Sequence, residues 1–87
     1  MIELMRPIIT SNGTGIDGLV CQRIAATEAL RGATEALRYM APNGRDYIGY
    51  PEQFATDRAL HYARISILKD LEHALTQEAL EIRKPKP

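Results

Sequence analysis

Eighty-seven residues make a single small domain, and at this size folding buries only about 60–65% of the surface of the open chain, which leaves little room for an enclosed active site. Eleven lysines and arginines balance eleven aspartates and glutamates, so the basic surplus of a dedicated duplex-DNA binder is missing and nucleic acid is a disfavoured partner. Cys21 is the one cysteine, which excludes an internal disulfide framework and a multi-cysteine zinc site.

Residues 1–15 read as an arm and loop. The stretch from Met1 to Ile9 carries Glu3, Arg6 and Pro7 among its aliphatics, without the apolar run of a signal peptide, so a cytoplasmic location and no membrane contact are expected. Thr10 to Gly18 then holds three of the six glycines, a flexible connector. Thr14 or Asp17 can cap a first helix over 16–41. Inside it Ala26-Thr27-Glu28-Ala29-Leu30-Arg31 recurs unchanged as residues 33–38, at the heptad offset. On a helical wheel Ile16, Leu19, Ala26, Leu30, Ala33, Leu37 and Met40 share one face, with Glu28, Glu35, Arg31 and Arg38 on another. Such a repeat specifies packing rather than catalysis.

Pro42-Asn43-Gly44 ends that helix, the proline unable to continue it and Gly44 suited to positive φ. A connector over 42–50 leads to a second helix over 51–82, with Pro51 in its first turn. Phe54, His61, Leu68, Leu75 and Ile82 repeat at sevens, Leu60, Ile67 and Ala74 form the adjoining row, and Leu71 lies between them. The row Asp57, Arg64, Leu71, Glu78 is polar at both ends. The longer second helix is expected to overhang its partner with Leu75 and Ile82, and the proline-broken tail 83–87 to fray.

The expected fold is all-α, an antiparallel two-helix hairpin with an extended N-terminal arm, assembling into a dimeric four-helix bundle. Two helices alone make a poor core, so self-association through Leu19, Leu30, Leu37, Leu68, Leu71 and Leu75 is the natural remedy. The competing remedy is intramolecular, with residues 1–9 folding back over the bare stripe.

All five aromatic residues, Tyr39, Tyr47, Tyr50, Phe54 and Tyr62, lie towards the turn end. The inward misfits Asp57, His61 and Arg64 point there too. An Asp–His pair four residues apart can fix an imidazole tautomer, and an arginine one turn on can hold an anion. The preferred reading is structural: Asp57, His61 and Arg64 pin the connector that carries Arg45, Asp46 and Tyr47, the His/Arg pair supplying donors to it while the tyrosines cover it, with no catalytic residue, metal or cofactor. Thr56 and Ser66 sit at helical angles away from His61, and no metal-ligand spacing is present.

The loop Asn43-Gly44-Arg45-Asp46-Tyr47, followed by a helix with His61 and Arg64 three apart, resembles short helical-hairpin proteins of bacterial and prophage genomes over roughly residues 26–72. The resemblance implies no reaction. It implies a fixed loop and a phage or prophage accessory role. The functional expectation is a non-enzymatic interaction or assembly module, a homodimer with an unidentified protein partner. Its alternative is a small nucleic-acid-associated regulator that gathers Arg38, Arg45 and Arg64 from two chains and uses the basic tail.

Overall fold

The computed structural model describes residues 2–84. An extended segment leads into α1, Ile16–Arg38, and α2, Pro51–Arg83, joined by a connector that contains a 3₁₀ turn, Gly44–Tyr47. Among the described residues there is no strand. At 1.5 Å per residue α1 is about 35 Å long and α2 about 50 Å.

The boundaries follow from local chemistry, with three departures from expectation. Gly15, extended, occupies the cap position of α1 without a side-chain bond, while Asp17 sits in the first turn, where its charge suits the positive end of the helix dipole. Neither Thr14 nor Asp17 caps. At the other end α1 stops at Arg38 rather than Ala41: the N–H groups of Tyr39, Met40 and Ala41 donate to carbonyls three residues back, the tightened last turn of a helix approaching a proline. The left-handed residue is Gly49, with φ of 84°, and not Gly44. It reverses the chain immediately before Tyr50 and Pro51 enter α2.

The helices pack antiparallel, in a register fixed by two cross-helix ion pairs. Arg31 Nε donates to Glu72 Oε1 at 2.6 Å and Arg23 Nε to Glu78 Oε1 at 3.0 Å. By that register Arg38 lies opposite about residue 64, so the overhang is about the first two fifths of α2 rather than its Leu75–Ile82 end. The connector folds back along that overhang and stacks Tyr47 on Phe54, ring centroids 5.4 Å apart.

The seam of α1 is also rotated from the expected face. Val20, Thr27 and Thr34 are its buried residues, with Arg23, Leu30 and Leu37 half-buried between them, whereas Ala26, Ala33 and Met40 are exposed. Positions 20, 23, 27, 30, 34 and 37 alternate steps of three and four, a heptad seam in which threonine stands where an aliphatic is usual. Both hydroxyls bond back along their own helix, Thr27 to the Arg23 carbonyl at 2.8 Å and Thr34 to the Leu30 carbonyl at 3.0 Å. That leaves a methyl group to face α2 and no polar group to satisfy elsewhere.

On α2 the row Phe54, His61, Leu68, Leu75 and Ile82 lies on the seam, buried or half-buried. The adjoining row divides: Ala74 is buried, while Leu60 and Ile67 are 47% and 62% exposed. The result is a rod of 63 × 21 × 17 Å whose buried hydrophobic core is Val20 and Ala74. Its radius of gyration is 18.4 Å, against about 12 Å for a compact chain of this length.

Candidate functional site

Three places on the rod bring side chains together: the turn end, the seat of the N-terminal arm, and an open groove on the other flank of the helix pair.

At the turn end Asp57 is the organising residue. It accepts a hydrogen bond from the Tyr47 hydroxyl on Oδ2 and one from Gln53 Nε2 on Oδ1, both at 2.7 Å. The bond to Asp57 raises the Tyr47 phenol above its ordinary pKa of 10.0, and loss of solvent and the charges of Asp57 and Asp46 act in the same direction. With both carboxylate oxygens engaged, Asp57 makes no pair with His61. His61 is buried at 7% exposure, and its Nε2 has no hydrogen-bond partner.

The connector satisfies itself instead of drawing on His61 and Arg64. Asn43 Oδ1 accepts from the Arg45 N–H at 3.0 Å, and Asn43 Nδ2 donates to Asp46 Oδ2 at 3.2 Å. Arg64 is exposed, as are Arg45 and Asp46. The pinning contact is therefore Tyr47 to Asp57, an acceptor on α2 rather than a donor. Nor do the aromatics form a cover: Tyr39, Tyr50 and Tyr62 are 86%, 69% and 56% exposed, and Arg58 lies 5.7 Å from the Tyr62 ring centroid. Thr56 and Ser66 are exposed, whereas His61 is buried. As arranged, the cluster holds the connector against α2 through Tyr47 and Asp57.

The arm lies against the other half of α2. Leu4, Pro7 and Ile9 are half-buried, Met5 and Ile8 exposed. Ile2 and Leu4 line a groove of about 300 Å³ with Asp70, His73, Ala74 and Gln77, and the Met5 N–H donates to Glu78 Oε2 at 3.0 Å. Glu78 thus ties three elements, one oxygen to the arm and the other to Arg23, whose own Nη1 donates to the Leu19 carbonyl at 3.3 Å. The side chains of Arg23 and Glu78 are only 11% and 4% exposed. In the sequence Glu78 is the polar end of the row Asp57, Arg64, Leu71, Glu78, and a basic residue three positions from Val20 on the other helix is the signal that could have found its partner Arg23.

On the opposite flank Val20, Ile24 and Thr27 of α1 and Leu75, Ala79 and Leu80 of α2 line an unfilled groove of about 310 Å³. Of the six leucines expected at an oligomer interface, all are half-buried. Leu30, Leu37, Leu68, Leu71 and Leu75 belong to the seam or its edge within one chain, and Leu19 lies near its start. Among the described residues no three His, Cys, Asp or Glu side chains gather as metal ligands, and no helix is long and apolar enough to cross a membrane. Compared with known proteins, the chain matches no family model, no curated protein and no solved structure.

Proposed function

We propose that this chain is a non-enzymatic helical interaction module that self-associates, two hairpins forming a four-helix bundle that then serves a further protein partner. The supporting observation is surface. The chain exposes 6927 Å², about a third more than the roughly 5,100 Å² of a compact monomer of this mass. Ile24, Leu60, Ile67 and Leu80 contribute to it directly, each close to half exposed or more.

The arm does fold back, so the intramolecular remedy operates, but it fills one flank only. A second hairpin supplies the remaining cover by the means that small helical domains commonly use. Of the arginines that the nucleic-acid alternative gathers, Arg38 lies 3.6 Å from Glu35 while Arg45 and Arg64 are exposed, and its basic tail beyond Lys84 lies outside the described residues; the even charge balance of the chain keeps it second. The loop resemblance adds the proposal of a phage or prophage accessory role.

Size-exclusion chromatography with light scattering, at two concentrations and low salt, tests the reading. A dimer mass at both concentrations with a protein-like 260/280 nm ratio is expected. A monomer at both, or a peak carrying nucleic acid, overturns it.

A further inference from the structure

We propose that in the dimer each chain lends its N-terminal arm to the other, residues 2–9 of one copy lying in the seat on α2 of its partner; the proposal rests on the self-association reading and names what joins the two copies. The seat is built without the arm. Glu78 lies between the helices at 3% exposure, one oxygen fixed by Arg23 at 3.0 Å. Its Oε2 receives the Met5 amide at 3.0 Å, and Ile2 and Leu4 line the hollow with Ala74 and Gln77. These contacts are the same whichever copy supplies the arm, so exchange keeps every one of them.

The two arrangements differ in the link between arm and helix. Ile2 and Leu4 lie along Asp70 to Gln77 and Met5 lies at Glu78, so the arm travels towards the carboxyl end of α2. Arg23 of α1 pairs with the same Glu78, so α1 sets off from that end in the opposite direction. To serve its own hairpin the chain must reverse between Thr10 and Ile16. That reversal is lightly held: residues 10–18 are all exposed, and the turn is closed by the Gly13 N–H donating to the Thr10 carbonyl at 3.4 Å. An exchanged arm needs no reversal, because the opened link carries it across to the neighbour.

Reach decides how the neighbour lies. Residues 10–15 span about 20 Å when extended, and the rod is 63 Å long and 21 by 17 Å across. A hairpin alongside, with its arm at the same end, is within that reach, and one lying head to tail is not. Exchange therefore sets both hairpins of the bundle pointing the same way, about a twofold axis running along the rods. It also brings the partner to bare surface. Leu60, Ile67 and Ala74 form one row of α2, in which Ala74, at the seat, is buried while Leu60 and Ile67 are 47% and 62% exposed. A neighbour close enough to fill the seat lies beside the uncovered part of the same row.

The test mixes equal parts of isotope-labelled and unlabelled wild-type chain, refolds them together, and measures the mass by light scattering and the arm contacts by isotope-filtered NOE spectroscopy. A dimer is expected, with cross peaks from Ile2, Leu4 and Met5 of one isotopic form to Ala74, Gln77 and Glu78 of the other. In a second measurement Leu4→Asp, which alters the arm and neither helix, is expected to weaken dimerisation at least tenfold; if that variant also loses helicity, the wild-type cross peaks decide alone. A dimer whose arm cross peaks stay within one isotopic form, or one that a folded Leu4→Asp chain still forms undiminished, overturns exchange and leaves self-association standing. A wild-type monomer overturns both.

Discussion

Glu78 carries more of this fold than any other single side chain. Its two oxygens serve two different elements, and at 3% exposure it is desolvated enough that losing one partner is costly. Glu78→Ala leaves the Arg23 guanidinium buried and unpaired and is expected to cost about 3–5 kcal/mol, read as a large drop in the urea midpoint. Arg23→Met combined with Glu78→Leu removes both charges and is expected to recover most of that loss; a double variant as weak as the single one would show that the packing, not the charge, is what matters. Tyr47 is the second residue with a measurable signature. Its raised pKa means that the neutral phenol is the form the folded chain favours. Its contribution is therefore complete below the ordinary tyrosine value near 10 and is lost as the pH rises through the higher folded-state value. An ultraviolet titration should show one tyrosine ionising later than the other three, and Asp57→Asn should bring it back among them.

At the scale of the element, what the sequence discloses depends on how a residue type is weighed. The helical extent of α2 is legible to within a residue, because Pro51 opens it and a seven-residue apolar row runs its whole length. The hairpin and the fold-back of the arm are legible for similar reasons, in the connector length and in the aliphatics of residues 2–9. The face of α1 is not, because alanine counts as apolar on a wheel and threonine as polar, whereas in a helix the threonine hydroxyl bonds its own backbone and buries a methyl. Thr27→Asp is therefore expected to melt the hairpin, putting a charge into the seam, while Ala26→Asp one position away should shift the melting temperature by no more than a few degrees. Thermal denaturation of the pair decides which face is inward. The loop-pinning role of the turn end was visible in the residue types, but not its direction, since nothing in the spacing says that Asn43 will satisfy Arg45 and Asp46 by itself and free Asp57 for Tyr47. Gly49 carries the reversal into α2 at a φ of 84°, where a Cβ would meet open space yet still be strained by the backbone itself. Gly49→Ala should cost on the order of 1–2 kcal/mol, and a neutral result in chemical denaturation would mean that the connector readjusts.

For the molecule as a whole, the decisive property is its shape. A rod 63 Å long and 17 Å thick cannot hide its side chains from water, and among the described residues Val20 and Ala74 are the buried hydrophobics. Its stability as a monomer must be slight, because hydrophobic burial is the main term opposing chain entropy. Self-association would couple folding to concentration: the melting temperature of a bundle rises with protein concentration, while that of a hairpin held together by its own arm does not. Circular-dichroism melts over a hundredfold range of concentration should show an upward trend. A constant melting temperature would indicate that the arm on one flank is cover enough.

The tie from Met5 to Glu78 also bears on the order in which the chain assembles. The arm's seat lies on α2, and the carboxylate that receives its amide is held in place by Arg23 of α1, so the docking place is complete only once the helices have paired. Undocking of the arm is then a partial opening that leaves the hairpin intact, a separate step with its own free energy below that of global unfolding. The amide proton of Met5 reports that step alone. In native-state hydrogen exchange it should trade with solvent sooner than the amides at the middle of α1 and α2, by a margin equal to the arm's own hold on the rod.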